Sequence, residues 1–280
     1  MSEREGSQRE RGATTAVRPE GRGLDSREER GMTDLVLYTL YLADDALVLA
    51  QRLGEWAARA PELEEDVALA NIGLDLLGQA RPLLAYAGEV EGAGRGEDDL
   101  AYLREERDFR NCLLVEQPNG DFAATVVRQL YFSTYQLGLY RALAGSADPT
   151  LAAVAAKAAK EVDYHRDHAA GWTVRLGDGT AESHGRMQRA VEALWPYTGE
   201  LFEADDVLRR LVAAGIAVDP AELRVDWDRE VGAVLAEATL DRPEPGWQHT
   251  GGRRGVHTEQ LGYLLAELQY LHRLHPGARW

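Results

Sequence analysis

Between Pro149 and Gly177 the residues Leu151, Val154, Ala158, Glu161, His165, His168, Trp172 and Leu176 recur at steps of three and four. One helical face there carries an apolar stripe with a carboxylate and two imidazoles set into it. Such groups, when buried, have to be paired, hydrogen-bonded or bound to metal, because an isolated charge is costly away from water. Asp44 and Asp45 interrupt another apolar run, and Asn71, Asp75 and Gly78 share one side of a second helical segment. Carboxylates projecting inward from several helices are the pattern of di-iron carboxylate bundles. Those take one Glu from each of two helices and a Glu-x-x-His pair from each of two others.

The pattern is incomplete here. Asp75-x-x-Gly78 has the carboxylate, with Gly where an imidazole should stand, and Glu161-x-x-Tyr164 has Tyr in that place, with His165 one residue late. One residue is a rotation of about 100° around a helix, so His165 does not simply replace the missing ligand. The stretch from Asp121 to Gly145 offers Gln129 and Gln136 inside and no Glu. So few anionic and imidazole donors hold two irons poorly. The expectation is a remnant of a di-metal site, without metal and without catalysis of its own. Spacing makes Asp45 the inward member of its pair and leaves the other facing solvent. Glu161 and His165 read equally as a structural ion pair and as a relic ligand pair, and His168 as a core or interface histidine. Lys157, Lys160 and Arg128 are the cations expected to neutralise the acids. His249, His257, His272 and His275 lie outside any ligand-spaced pair on one helix and are assigned no chemistry.

A second set of side chains suits an anionic ligand. Arg107, Asp108, Phe109, Arg110 and Asn111 combine guanidinium, aromatic and amide groups, the types that bind phosphate and stack on adenine. Arg209-Arg210-Leu211 supplies another cationic pair, and Arg253-Arg254 sits in a Gly-rich loop that lets backbone approach a ligand.

The elements that would position these residues are helices. Thr33 is placed to cap a helix through Leu35, Tyr38, Leu42, Leu49, Leu53 and Trp56. Pro61, followed by Glu62, Glu64, Glu65 and Asp66, starts a second one, with Leu63, Val67, Ala70, Leu74 and Leu77 as its apolar stripe. Asp98-Asp99 opens a short helix, Pro118 to Asp121 a turn and cap, Asp148-Pro149 the His-bearing helix, and Gly177 closes it. A helix from Ser183 to Phe202 with a kink at Pro196, one from Pro220 through Val234, and a last one from Thr258 to Leu274 complete the chain. No stretch alternates with period two and no repeat of fixed period is present. The fold class is all-α, a single helical domain over 33–280 behind a disordered polyampholyte tail at 1–32.

Composition narrows the function classes. The 280 residues carry 47 acids against 31 Lys and Arg, a formal charge of −16. Seven arginines and seven acids cancel within Met1–Arg30, so the remainder of the chain bears all of it. An acid excess argues against nucleic-acid binding, which needs a basic face. A lone cysteine, Cys112, excludes a disulfide framework and Cys-based metal sites. The longest apolar stretch, Leu35 to Ala43, is well short of the ~18 residues of a membrane span, and no secretory leader is evident. A cytoplasmic protein is expected.

Four segments carry a specific resemblance: APELEEDVALANIGLDLLGQAR from Ala60, NCLLVEQPNGDFA from Asn111, AAKAAKEVDYH from Ala155 and TGGRRGVHTEQLGYLLAELQYL from Thr250. They resemble the C-subunit family of phenylacetyl-CoA epoxidases, from about Thr33 to Trp280. The resemblance implies a ferritin-like fold, a four-helix bundle core with additional helices. It implies a non-catalytic structural subunit that pairs with a di-iron catalytic subunit. Beside accessory subunits, a reductase subunit passes electrons from NADPH, and the complex epoxidises the ring of phenylacetyl-CoA with O₂ in aerobic phenylacetate breakdown. It further implies that Asp44, rather than Asp45, holds the first-helix ligand position and that Asp75 and Glu161 match ligand positions. Gly78 and Tyr164 then stand where histidines were lost. It also implies that Asp108–Asn111 and Arg209–Leu211 help contact the CoA portion of the substrate. The competing readings are a stand-alone metal-binding ferritin-like oxidase or iron-handling protein, and a helical interaction module without oxygen chemistry.

Overall fold

The computed structural model describes residues 26–278. Expectations for residues 1–25 of the tail lie outside that range. α1 spans Ser26–Gly54 and so starts ahead of Thr33. Its first residues, Ser-Arg-Glu-Glu-Arg, include good helix formers, and the exposed turn from Arg30 to Thr33 needs no apolar stripe. α2 spans Leu63–Glu91, with Glu62 as its N-cap and Glu64, Glu65 and Asp66 on the positive end of its dipole. Pro61 therefore precedes the helix instead of sitting in its first turn. α2 runs on through Pro82 and stops at Gly92, whose left-handed backbone (φ 68°) donates to the Gly88 carbonyl.

Local cap rules fix most of the later starts. α3 is Glu97–Tyr102 and α4 is the single turn Leu113–Glu116. Asp121 accepts from Ala124 N to begin α5, Phe122–Leu143. Asp148 accepts from Thr150 N and Leu151 N to begin α6, Pro149–Gly177. α7 is Ala181–Leu194. It ends at Trp195-Pro196, where two 3₁₀ turns, Trp195–Tyr197 and Gly199–Phe202, replace the expected kinked helix. Proline has no N–H to continue the ladder, and the chain goes on there in 3₁₀ geometry. α8, Asp206–Ala213, is a helix that periodicity did not reveal; α9, Pro220–Glu237, is capped by Asp219, and α10 is Glu259–Leu274.

The expected all-α class holds: there is no strand among the described residues. α1 packs along α2 and α5 along α6 as two long hairpins, which meet through α2 and α6, the pairing a ferritin-like bundle requires. α7 and α9 cover α5, α8 lies on α1, and α10 crosses α1, α3 and α4. α5 is buried on nearly every side, with Tyr131, Phe132 and Tyr140 fully enclosed. Trp227 donates its indole N–H to the Tyr131 carbonyl at 2.9 Å, fastening α9 to α5. No described helix is long and apolar enough to cross a membrane.

α2 turns its stripe the unexpected way. Leu63, Val67, Leu74 and Leu77 are exposed, while Leu69, Ile72, Leu76, Ala80 and Leu83 form its core face. A helix apolar on two sides cannot reveal from periodicity which side is inward. The exposed stripe lies beside α6, where Tyr164 is also exposed.

Candidate functional site

The remnant positions do not converge. Asp44 is fully buried, but it faces the segment after α3. Arg104 grips both its carboxylate oxygens, Nη1 at 2.9 Å from Oδ2 and Nη2 on Oδ1, and the Arg110 N–H donates to Oδ2 at 2.8 Å. Asp45 is buried as well, so neither aspartate faces solvent, against the spacing argument. It takes Cys112 N at 2.7 Å and the Arg253 guanidinium at 3.0 and 2.7 Å. Both are covered because the 104–112 segment reaches each of them, and the 251–254 loop adds Arg253 over Asp45.

Asp75, Glu161 and His165 meet between α2 and α6 in a different pairing from the one expected. His165 Nε2 lies 3.0 Å from Asp75 Oδ2, so His165 pairs across the helices and not with Glu161 on its own helix. Burial holds the His165 imidazole below its ordinary value although Asp75 pulls the other way. A neutral ring donating Nε2–H to the carboxylate satisfies both groups. Glu161 accepts from Gln79 Nε2 at 3.4 Å, and Lys157 Nζ stands 3.6 Å away. Gln136 in turn donates to Gln79 Oε1 at 3.1 Å. His168 pairs with Glu65 across the same helices at 2.8 Å.

Of the expected neutralising cations only Lys157 reaches an acid of this group. Lys160 is exposed, and Arg128 donates to the Gln117 carbonyl and to Asn119 Oδ1. With no carboxylate in contact, burial pushes Arg128 down to about 9, with Arg52 adding to it. Gly78 and Tyr164, where imidazoles would be needed, are exposed. Among the described residues no group of three or more His, Cys, Asp or Glu could hold a metal ion. These donors do not fit a di-iron centre, because Asp44 is committed to Arg104 and the rest supply one carboxylate–imidazole pair and one lone Glu.

The ligand-suited segments are partly closed. Asp108 and Arg110 line a cavity of about 520 Å³ with Val36, Leu37, Arg95 and Arg104. Phe109 and Asn111 are wholly buried. Phe109 lies under the Arg104 guanidinium, 4.2 Å from ring centroid to carbon, and is not available to stack on a ligand. Asn111 donates to Glu116 Oε2 at 2.9 Å. Arg209 is exposed and paired with Asp206, Arg210 grips Asp34 through two bonds of 2.6 and 2.7 Å, and Leu211 is buried. Arg210 and Leu211 line a second cavity of about 830 Å³ that shares Met32 with the first. The two segments therefore flank the first turns of α1. Arg253 points inward to Asp45, so the Gly-rich loop brings its backbone against the 107–112 segment and not against a ligand.

A family model described as phenylacetic acid catabolic protein matches residues 22–280. The C subunit of 1,2-phenylacetyl-CoA epoxidase from Escherichia coli (strain K12) is 54% identical over 249 residues, which is 89% of this chain and 100% of that protein. The chain belongs to the phenylacetic acid catabolic protein family. The resemblance carried by its four segments therefore holds over nearly the whole chain.

Two contacts of this family member had no signal in the spacing of its residues. One is Arg104, the partner that closes on Asp44, and the other is the buried pair of Glu116 with His257. Both glutamate and histidine lie inside the segments that carried the resemblance. Spacing along one helix could not reveal them, since they are 141 residues apart.

Proposed function

We propose that this chain is the non-catalytic subunit of a cytoplasmic phenylacetyl-CoA epoxidase. It pairs with the di-iron catalytic subunit, beside accessory subunits and a reductase subunit that delivers electrons from NADPH. The observation that carries this reading is the outward stripe of α2. Leu63, Val67, Leu74 and Leu77 are exposed along α2, and Tyr164 is exposed on the neighbouring α6, on a chain of formal charge −16. Such faces mark protein contacts. Asp75 and Glu161 stand at the same α2–α6 seam, paired internally, so they stiffen the docking face and leave the chemistry to the partner. The CoA portion of the substrate meets this chain at the start of α1, between Asp108–Arg110 and Arg210.

Reconstitution tests the reading. Catalytic and reductase subunits are assayed for NADPH- and O₂-dependent epoxidation with and without this chain, and iron is measured on each component. Activity that depends on the chain, with iron on the partner, is the expected result. A pair of irons on this chain and oxidase activity without the partner would establish the stand-alone alternative.

Two substitutions probe the face. Leu74→Asp should weaken the complex at least tenfold, about 1.4 kcal/mol, by titration calorimetry, and leave the melting temperature of the free chain unchanged. Asp75→Ala and Glu161→Ala should lower the thermal stability of the complex without reducing its iron content. Iron loss in either variant, measured on the purified complex, would contradict the supporting role.

A further inference from the structure

One buried pair joins the 250–258 loop to the 107–116 segment. Glu116 ends α4, His257 precedes α10, and both side chains are closed to solvent. His257 Nδ1 lies 2.8 Å from Glu116 Oε2, and its Nε2 lies 3.0 Å from the Phe109 carbonyl oxygen. A carbonyl only accepts, so Nε2 carries a proton. The Glu116 carboxyl already receives Thr258 N at 2.7 Å, the Thr258 hydroxyl at 2.8 Å and Asn111 Nδ2 at 2.9 Å. Oε2 accepts across 2.8 Å from whatever faces it, so Nδ1 carries a proton too. The ring is an imidazolium with both hydrogens engaged.

The surrounding charges agree. Burial alone would lower His257, but the hydrogen bond and charge of Glu116, the Phe109 carbonyl and the charge of Asp44 on α1 outweigh it and raise it above its ordinary value. None of the nearby cations reaches the Glu116 carboxylate, although Arg110 shares the Phe109 carbonyl with the ring. Arg104 closes on Asp44, Arg253 on Asp45, Arg110 on the Arg107 and Phe109 carbonyls, and Arg52 of α1 on the Glu116 backbone carbonyl.

We infer that His257 and Glu116 are positioning residues, a buried imidazolium–carboxylate latch that holds the Phe109 backbone and the Asn111 amide and thereby presents Asp108 and Arg110 to the CoA thioester. This rests on the reading above that the 108–110 segment meets substrate. By sign, a group raised in the folded chain contributes fully below its unfolded value of about 6.5 and loses its contribution as pH rises through the folded value. The latch therefore opens on the alkaline side.

The test uses the reconstituted complex and the intact chain. In wild type, KM for phenylacetyl-CoA should rise as the pH passes above the His257 value, with kcat little changed. In His257→Gln, KM should be raised roughly tenfold at neutral pH and be flat with pH. Glu116→Gln should behave similarly. Nitrogen NMR of the histidine-labelled wild-type chain should show two protonated ring nitrogens on His257 at neutral pH, a readout that does not depend on any variant folding. A singly protonated ring would overturn the latch. Arg110→Ala separates the positioning role from substrate contact. If it raises KM while His257→Gln does not, the positioning role fails and the substrate reading stands. If neither moves KM, both fail.

Discussion

Replacing Asp44 by alanine should destabilise the chain by about 3–5 kcal/mol, the cost of leaving a buried ion without its partner. Arg104 is 3% exposed, and its guanidinium spends both terminal nitrogens on Asp44. Its remaining contacts are the Leu100 and Asp108 carbonyls and the face of Phe109. None of these is a counter-charge. The Arg110 N–H loses its acceptor at the same time, so a backbone donor is orphaned along with the cation. Urea unfolding of the free chain measures the loss. The double variant Asp44→Leu with Arg104→Met should recover most of it, because an apolar pair of similar volume removes the uncompensated charge. Loss of stability in the single variant that persists undiminished in the double one would mean that Asp44 acts through the Arg110 backbone and not through Arg104. In either case Asp44 anchors the segment that follows α3.

What the sequence could disclose follows from range. Asp121, Asp148 and Asp219 each cap the helix expected of them, because a cap is decided within three residues. The all-α class was legible for the same reason, being a sum of local patterns. The inward side of α2 was not, since Leu69 and Leu74 are equally apolar and only the neighbouring helices decide which is covered. Asp44 and Asp45 escape a periodicity rule that presumes one solvent face, which α1 lacks from Tyr38 to Leu49. Phe109 and Asn111 have the composition of a ligand site, yet their burial under Arg104 and beside Glu116 turns them to internal use. His257 and Glu116 needed a contact across 141 residues, which no spacing rule supplies.

The second large effect is expected at Gly252. A Cβ there would sit 2.1 Å from the Asn111 carbonyl oxygen and 3.3 Å from Cys112 Cα, against backbone that cannot rotate away. Gly252→Ala should therefore push the 250–255 loop off the 107–112 segment and cost about 3 kcal/mol or more, at or above the upper range for overpacking. The same shift would draw Arg253 away from Asp45, whose carboxylate is 4% exposed and holds Arg253 at 2.7 Å, so the steric cost is joined by a weakened buried ion pair. Gly171 provides the contrast on α6, exposed and with nothing within 4 Å of its Cβ position. Gly171→Ala should stabilise by about 0.5–1 kcal/mol, the ordinary gain of alanine over glycine inside a helix. Denaturant midpoints of the two variants against wild type decide the matter. Opposite signs show that the glycines of the loop serve the close approach of two backbone segments, and equal small effects would show that the loop yields. In the first case the loop is part of the scaffold that sets Asp108 and Arg110 at the cavity beside α1, so a change at Gly252 reaches that cavity without touching it.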